Sequence, residues 1–278
     1  MNRKLLFFDI DGTLAMPGNP PTEAVVKAIR KARGNGHLVF LSTGRPEWLV
    51  DAKIKEIGFD GGIFHAGGRA AVGNRTILDQ CMPGDVVNFA LDCLRKEKDL
   101  YFMLECAETC YRRNPEPFFA AAERMRGGST ELRRLMQALL DPSFMDEGNY
   151  NGQSVYKISY FTTNRAQMEQ ISAILNRRGK AVSFENMMPD EEMCSGEVTA
   201  HGTDKGTALD AICRYFGASV KDAVAFGDSM NDAEMIEAAG MGVAMGKAEP
   251  RLKAVADRIC ESVEEDGVAR EMERLGLI

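Results

Sequence analysis

The first 65 residues alternate short apolar runs with amphipathic stretches, and this alternation restricts the possible folds more than any other feature of the chain. In order, it predicts a strand at Lys4–Ile10, a helix at 23–33, a strand at His37–Leu41, a helix from Pro46 to Ile57 and a strand at Gly61–His65. Runs that are apolar throughout are typical of strands buried on both faces of a parallel sheet. The order β-α-β-α-β therefore predicts an open parallel sheet covered by helices.

The alternation of predicted strands and helices changes after the third strand and later resumes. Gly73-Asn74 predicts a hairpin turn, and hairpins then alternate with helices over residues 83–190, including helices at 115–125 and 131–140. From Thr203 onward the sequence again predicts helices between short buried strands, the last of them a helix at 263–275. We therefore predict an α/β core formed by residues 1–82 and 191–278, interrupted by an inserted α+β domain at 83–190. A chain of 278 residues has the length for two domains.

The charge balance excludes several kinds of partner. The chain carries 41 acidic and 34 basic residues, a net charge of −7, so it has no general field that would attract nucleic acid or an anionic membrane. An anionic ligand has to be held by a local arrangement of donors. No apolar run is long enough for a membrane span. Seven cysteines without a Cys-x-x-Cys pair predict reduced thiols in a cytoplasmic protein.

Two carboxylates follow the first predicted strand. Asp9 and Asp11 are two residues apart, so in an extended chain they face the same way. Adjacent carboxylates repel each other unless a cation or a shared proton compensates, which suits a Mg²⁺ ion completed by phosphate oxygens. The pair also suits a nucleophile beside a general acid/base. The alternative at this point is a polar turn after a buried strand.

Two further segments carry groups that bind anions. Thr43 and Gly44 stand between a predicted strand and a helix start, where a hydroxyl and backbone N–H groups can bind an anion. Thr43 can equally act as a helix cap. Lys205 lies in the first turn of a predicted helix, where a cation gains nothing from the helix dipole. That placement favours neutralisation of phosphate charge, with a solvated lysine as the alternative.

A second group of carboxylates follows a later strand. Asp228 comes directly after the predicted strand Ala223–Phe226, in the same position as Asp9 after its own strand. Asn231 and Asp232 enter the next helix and can point back toward a metal ion or its waters. Because ligands bind beyond the carboxyl ends of parallel strands, we expect these segments to converge. An acidic helix cap is the alternative.

The four segments occur in an order that resembles the motif set of the haloacid dehalogenase (HAD) superfamily. The segments DIDGT, STGRP, DKG and GDSMND, with the insert between the second and third, resemble Cof-type phosphatases with a C2B cap. The resemblance implies a Rossmann-like core of the HAD fold, with the α+β insert as a cap that closes over the site and selects the substrate. It covers essentially the whole chain.

The resemblance also implies roles for individual residues. Asp9 would be the nucleophile that forms an aspartyl-phosphate, and Asp11 would protonate the leaving group and then activate water. The implied Mg²⁺ ligands are Asp9, the backbone carbonyl of Asp11, and Asp228. Thr43, Gly44, Lys205 and Asn231 would bind the phosphate, and Asp232 would support the metal site. One departure is visible, since His65-Ala66-Gly67-Gly68 stands where many relatives carry Asn-Gly-Ala, which puts substrate contacts there in doubt.

The implied function is Mg²⁺-dependent hydrolysis of a small phosphorylated metabolite, such as a sugar phosphate, without a nucleic-acid or membrane partner. The oligomeric state stays open between a monomer and a weak dimer. A phosphomutase of the same fold is one alternative, although the Thr-Gly-Arg-Pro stretch argues against it. A non-catalytic ligand-binding module is another, and it predicts the loss of Asp9 or Asp11, both of which are present. In the insert, Arg112, Arg113, Lys157 and Tyr160 can contact the leaving group or serve in packing.

Overall fold

The computed structural model describes residues 3–16, 19–113, 144–184 and 194–278. The chain divides into two compact units, which we call the first unit (Met1–Asp79 with Thr203–Ile278) and the second unit (Gln80–Gly202). The predicted insert, 83–190, is shorter than the second unit at both ends. The helices predicted at 115–125 and 131–140 lie outside the described residues.

Fourteen strands and eight α-helices lie within the described residues. The strands are β1 (Leu5–Phe8), β2 (Leu38–Ser42), β3 (Gly61–Phe64), β4 (Arg69–Val72), β5 (Arg75–Asp79), β6 (Tyr101–Cys106), β7 (Cys110–Arg113), β8 (Met145–Asp146), β9 (Val155–Thr162), β10 (Lys180–Phe184), β11 (Cys194–Thr199), β12 (Ala223–Gly227), β13 (Met241–Ala244) and β14 (Arg258–Ile259). The helices are α1 (Glu23–Gly34), α2 (Ala52–Lys55), α3 (Gly84–Leu94), α4 (Arg165–Leu175), α5 (Lys205–Tyr215), α6 (Ala233–Ala238), α7 (Pro250–Val255) and α8 (Gly267–Arg274). None of these helices is both long and apolar enough to cross a membrane.

The first unit is built on an eight-stranded sheet in the order β14-β13-β12-β1-β2-β3-β4-β5. From β14 to β3 all neighbours are parallel, and β4 and β5 add an antiparallel hairpin at one edge. The fold class predicted from the sequence, an α/β core with a parallel sheet, is confirmed. The sheet brings β1 between β2 and β12, so the ends of these three strands are neighbours.

Apolar burial holds the centre of this sheet together. All four residues of β1 are buried, and Phe7 and Phe8 stack on Phe40 and Phe226 of the adjacent strands, each with ring centroids 5.1 Å apart. Full burial of side chains of this size contributes about 1.5–3 kcal/mol each. Helix α1 begins where Thr22 accepts a hydrogen bond from the N–H of Val25, and it lays its apolar face on the same core.

The second unit contains a separate six-stranded sheet in the order β10-β11-β9-β6-β7-β8. Its described pairs are antiparallel except for β7 with β8. Side chains alternate between the two faces of a strand. One face packs with α3 and α4 in an apolar core that includes Phe102, Leu104, Ile158 and Tyr160. Lys157 and its neighbours in register belong to the other face.

Two predicted helices are each divided in the structure, so the prediction of continuous helices was wrong at both places. Within 46–57, Asp51 leaves the helical conformation and caps α2 by accepting a hydrogen bond from Lys53 N–H at 2.8 Å. Within 263–275, Asp266 adopts the left-handed conformation, with φ of 59°, just before α8. An apolar period continues across a break of one or two residues, so the pattern does not reveal either break.

Candidate active site

The register of the first sheet brings the predicted motifs to one edge. Phe8, the last residue of β1, is paired with Leu41 of β2 and with Phe226 of β12. Asp9 continues this pairing, since its N–H donates to the carbonyl of Phe226 at 3.0 Å. The residues that follow β1, β2 and β12 therefore leave the sheet side by side, as the sequence predicted.

Lys205 is the centre of the resulting cluster. It is the first residue of α5, whose preceding residue, Asp204, caps the helix by accepting from Thr207 N–H at 2.7 Å. The Lys205 side chain is fully buried, and its Nζ donates to Asp9 Oδ1 at 2.7 Å and to Asp232 Oδ1 at 2.6 Å. The alternative of a solvated lysine is therefore wrong.

Asn231 is a weaker partner of the same ammonium. Its Oδ1 lies 3.4 Å from Lys205 Nζ and also accepts from Ser229 Oγ at 2.8 Å. The structure thus brings two residues of the GDSMND segment, Asn231 and Asp232, to the lysine of the DKG segment. Their proximity is a result of tertiary folding and not of local sequence.

Three carboxylates converge beside the lysine. Asp9, Asp228 and Asp232 each offer an oxygen, and these oxygens lie within 4.8 Å of one another. Burial raises the pKa of Asp9 to about 7, an effect that Lys205 opposes and Asp232 reinforces. Burial also raises the pKa of Asp228 well above its ordinary range, and the neighbouring Asp9 and Asp232 add to this.

The donor set fits a divalent cation. All three groups offer hard carboxylate oxygens, which Mg²⁺ prefers, and an added cation would relieve the repulsion between them. Asp9 and Asp228 belong to the set of metal ligands predicted from the sequence. The side chain of Asp11 lies elsewhere, so the third predicted ligand would act through its backbone carbonyl, as the family resemblance implies.

Asp232 has a second contact set that distinguishes it from the other two acids. It is fully buried, and its Oδ2 accepts from the N–H groups of Asp228 and Ser229 at 3.0 and 3.2 Å. One carboxylate therefore holds both the loop that carries Asp228 and the ammonium of Lys205. Asp232 is thus fixed by hydrogen bonds on both oxygens, and its supporting role at a metal site stays a prediction.

Gly12 allows the first and fourth motifs to approach each other. Its φ of +84° lies in the left-handed region, and a Cβ built there would lie 2.3 Å from Asp228 Oδ2. A residue with a side chain would both strain this turn and displace Asp228. The DIDGT segment thus requires glycine here for contact with Asp228 as well as for the turn.

The side chain of Asp11 pairs with Arg45 and not with the cluster around Lys205. Arg45 Nε donates to Asp11 Oδ2 at 2.9 Å, and Arg45 Nη2 donates to Asp11 Oδ1 at 2.6 Å. Both side chains are about one-third exposed. Sequence reasoning did not single out Arg45, although it stands within the quoted STGRP segment.

Thr43 is held in a buried turn after β2. It is 2% exposed, and its Oγ1 accepts from Arg45 N–H at 3.1 Å. Its N–H donates to the carbonyl of Ile63 at 2.9 Å, and its carbonyl accepts from Ala66 N–H at 3.2 Å. The next residue, Gly44, shares this loop. The loop is thus anchored to the strand beside it.

The turn at His65–Gly67 connects that loop to the lysine helix. His65 N–H donates to the carbonyl of Arg45 at 3.1 Å, and all three turn residues are buried. Gly67 has φ of +105°, and a Cβ there would lie 2.2 Å from the carbonyl oxygen of Asp204. Sequence reasoning singled out this turn as a departure from the family pattern but did not predict its contact with Asp204. The two consecutive glycines were the available signal.

The residues proposed as contacts in the insert have packing partners. Tyr160 hydroxyl hydrogen-bonds Ser172 Oγ at 2.9 Å in the core of the second unit. Arg113 donates to three backbone carbonyls at the end of α3 and in the loop after it, and Arg112 lies over the ring of Phe144. The alternative of packing, which the sequence left open, describes these three residues.

The family can now be named from comparison with known proteins. Residues 6–272 match the haloacid dehalogenase-like hydrolases. The chain is 27% identical over 282 residues to the putative phosphatase YkrA of Bacillus subtilis (strain 168), with 100% of both chains covered. It is 26% identical over 274 residues to the 5-amino-6-(5-phospho-D-ribitylamino)uracil phosphatase YitU of the same organism, covering 96% of this chain and 95% of that one.

A solved structure agrees in fold. The HAD subclass IIB sugar phosphatase BT4131 superposes with a TM-score of 0.81 at 24% sequence identity, covering 99% of this chain and 100% of that one. The resemblance predicted from the four motifs is confirmed. The match over nearly the whole chain places this protein in the haloacid dehalogenase-like hydrolase family.

Proposed function

We propose that the protein is a Mg²⁺-dependent phosphatase that hydrolyses small phosphorylated metabolites through an aspartyl-phosphate on Asp9. The observation that carries the proposal is the buried ammonium of Lys205, bound between Asp9 at 2.7 Å and Asp232 at 2.6 Å. A cation fixed in this way offers positive charge to a phosphoryl group without reorganisation during the reaction. Phosphoryl transfer depends mainly on positioning and charge neutralisation.

The proposed reaction has two steps. In the first, a carboxylate oxygen of Asp9 attacks phosphorus, the bond to the leaving oxygen breaks, and Asp11 gives that oxygen its proton. In the second, water attacks the aspartyl-phosphate while Asp11 takes a proton from the water. Inorganic phosphate leaves, and Asp9 and the proton on Asp11 are both restored.

The phosphoryl oxygens need donors and positive charge throughout. We assign these to Thr43, Gly44, Lys205 and Asn231, which the sheet edge and the lysine contacts bring toward Asp9. Backbone N–H groups and a hydroxyl after a strand suit phosphate oxygens. The fully buried ammonium suits the charge that the phosphoryl group carries.

The metal would be held by Asp9, Asp228 and the backbone carbonyl of Asp11. The carboxylate crowding and the raised pKa values of Asp9 and Asp228 support a cation at this place. When bound, Mg²⁺ supplies charge neutralisation at the phosphate oxygens in addition to that of Lys205.

We further propose that the first unit is the catalytic core and that the second unit is the cap that selects the leaving group. All the residues assigned above lie in the first unit. One relative is named a sugar phosphatase and another a phosphatase of a phosphoribitylamino-uracil. We therefore place the substrate among small sugar phosphates or similar polar phosphate esters.

The decisive experiment is a panel of phosphorylated metabolites tested with the wild type, Asp9→Asn and Asp222→Asn. Asp222 directly precedes β12 while Asp228 follows it, so the control alters an aspartate at the opposite end of the same strand. We expect hydrolysis by the wild type and the control, none by Asp9→Asn, and none by any of them after chelation with EDTA. Circular dichroism checks that each protein is folded.

The other outcomes separate the parts of the proposal. Turnover by Asp9→Asn would reject the nucleophile, and turnover after chelation would reject the metal. A panel without any hydrolysis, given folded and Mg²⁺-loaded wild type, would favour a non-catalytic ligand-binding module.

A further inference from the structure

The guanidinium of Arg45 binds both carboxylate oxygens of Asp11, a residue 34 positions away in the chain. The two N–H···O contacts, at 2.9 and 2.6 Å, form the parallel fork that arginine makes with a carboxylate. The backbone of Arg45 is itself fixed on both sides, since its N–H donates to Thr43 Oγ1 and its carbonyl accepts from His65 N–H, each at 3.1 Å. The fork thus extends from an anchored loop.

Packing alone contributes little to the position of the Asp11 side chain. It is 36% exposed, and together with Arg45 it borders a cavity of about 90 Å³ whose walls include Met16, Asn19 and Ile54. A carboxylate beside open space can rotate between staggered conformations. The bidentate contact is therefore what selects one orientation.

We propose that Arg45 is a positioning residue that holds Asp11 in place for proton transfer. This inference rests on the phosphatase function proposed above. As the bond between phosphorus and the leaving oxygen breaks, the proton moves from Asp11 to that oxygen, and the later attack of water returns a proton to Asp11. Arg45 acts through Asp11 and makes no contact with the phosphoryl group in this assignment.

The inference predicts a dependence on the leaving group. An alkoxide needs a proton as it departs, whereas p-nitrophenolate departs without one, so the two substrates differ in their need for an oriented acid. We expect Arg45→Ala to lower kcat/KM for an alkyl phosphate about tenfold to hundredfold, as loss of a general acid's orientation would. For p-nitrophenyl phosphate we expect kcat/KM to change about twofold or less, because kcat/KM reports the steps up to departure of the leaving group and proton transfer contributes little to that departure. The later attack of water is common to both substrates, so kcat does not separate them.

The experiment uses p-nitrophenyl phosphate and the alkyl phosphate that the wild type hydrolyses fastest in the panel above. Arg33→Ala is the matched control, because Arg33 also pairs with an aspartate, Asp60 at 2.8 Å, and is similarly exposed. It should leave both activities unchanged. Arg45→Lys keeps the charge without the fork and should behave like Arg45→Ala, and it also serves if the alanine variant fails to fold.

A double-mutant cycle with Asp11→Asn separates positioning from direct binding. If Arg45 acts through Asp11, Arg45→Ala should cause no further loss once Asp11 is asparagine. Equal losses on both substrates, or a full additional loss in the double variant, would overturn the inference and indicate that Arg45 binds the phosphate. If Asp11→Asn itself loses nothing, the acid/base assignment of the proposed function fails, and the positioning role fails with it.

Discussion

Among the described residues, each of the two units contains a lysine buried between two carboxylates. In the first unit Lys205 lies 2.7 Å from Asp9 and 2.6 Å from Asp232. In the second, Lys157 lies 3.2 Å from Glu105 and 2.6 Å from Glu197. Burial opposes the charged form of both lysines, but in each case the carboxylates outweigh it, so both pKa values are raised above the ordinary lysine value. In the burial and the charge of the lysine, the two clusters are therefore alike.

The two clusters differ in how the chain builds them. Lys157 of β9 stands directly opposite Glu105 of β6, and Glu197 of β11 is paired with Ser159, two residues further along β9. Ser159 Oγ also donates to Glu105 Oε1 at 2.7 Å. This group lies within strands, where the ladder sets every position and cross-strand pairing is itself stabilising.

The Lys205 cluster lies where the chain leaves its strands. Its carboxylates follow β1 and β12, its lysine begins α5, and a third carboxylate, Asp228, lies in the same group. Both clusters hold more carboxylates than lysines, three against one here and two against one around Lys157, so an excess of negative charge does not distinguish them. What differs is their place, since strand ends leave room for an ion or a ligand that can neutralise the excess. A lysine buried between carboxylates is therefore a candidate for a reactive site where it lies at such an edge, and burial by itself does not indicate one.

The test of this distinction with the largest expected effect is the removal of each lysine. We expect Lys205→Met to lower kcat/KM for p-nitrophenyl phosphate by about 10²- to 10³-fold, the usual effect of deleting one preorganised charge at a phosphoryl or acyl site. Lys157→Met should stay within about twofold of the wild type, because Lys157 is assigned no role in the chemical step. Both are assayed at a temperature where thermal melts show them folded. Similar losses of kcat/KM in the two variants would contradict the distinction between the two clusters and would indicate that Lys157 takes part in the reaction.

The stability of the two variants should differ in its response to Mg²⁺. Removal of one member of a buried ion pair costs about 3–5 kcal/mol, because the partner charges remain uncompensated. We therefore expect urea denaturation to give a large loss in free energy of unfolding for both Lys157→Met and Lys205→Met. Added Mg²⁺ should restore part of the lost free energy of unfolding in Lys205→Met, where a cation can neutralise Asp9 and Asp228. It should not restore the lost free energy in Lys157→Met.

A triple variant provides the control for this second test. Lys157→Met combined with Glu105→Gln and Glu197→Gln removes the uncompensated charges, so it should be more stable than Lys157→Met alone. If the triple variant is no more stable, the loss arises from the missing lysine stem and not from charge.

The contact of Gly67 with Asp204, which positions Lys205, can be tested by a substitution with a smaller expected effect. Gly67→Ala places a methyl group against the carbonyl of Asp204, the cap of α5, where a Cβ lies only 2.2 Å away. The resulting shift of Lys205 should lower kcat about tenfold with little change in KM. Gly36→Ala is the matched control, since Gly36 has φ of +91° with nothing within 4 Å of an added Cβ. Equal effects of both substitutions would mean that backbone strain, and not the contact with Asp204, is responsible.

Local patterns in the sequence predicted the parallel sheet and the segments that meet at its edge. The apolar runs predicted β1, β2 and β12, and Asp9, Thr43 and Asp228 follow these strands as expected. The prediction of the sheet succeeded because it depends on periodicity and on the common direction of parallel strands, whereas the roles of the three residues stay predictions. Contacts such as that of Lys205 with Asp9, 196 positions apart, follow from topology.

What sequence reasoning missed depends on tertiary contacts or on single residues. Asp9 and Asp11 were expected side by side, but β1 ends at Phe8, and the Asp11 side chain turns to Arg45. The contact of Gly67 with Asp204 and the break at Asp51 have no periodic signal. A pattern of residue types does not record which of several donors will reach a given carboxylate.

The prediction with the smallest expected effect is that Mg²⁺ binding releases protons from the site. Burial raises the pKa of Asp9 to about 7 in the metal-free protein, whereas Mg²⁺ binding requires the ionised carboxylate, so the metal displaces a proton. The pKa of Asp228, also a predicted ligand, is raised as well. Each of these two carboxyls that is protonated should make the association constant for Mg²⁺ increase by up to about tenfold per pH unit, and the increase should end where both are ionised. Titration calorimetry in two buffers of different ionisation enthalpy measures the proton release directly. Asp9→Asn should release fewer protons, whereas Lys157→Met should match the wild type because its cluster binds no metal in our assignment. An affinity independent of pH, without proton release, would mean that Asp9 is already ionised beside Lys205, and the two lysine clusters would then be electrostatically equivalent.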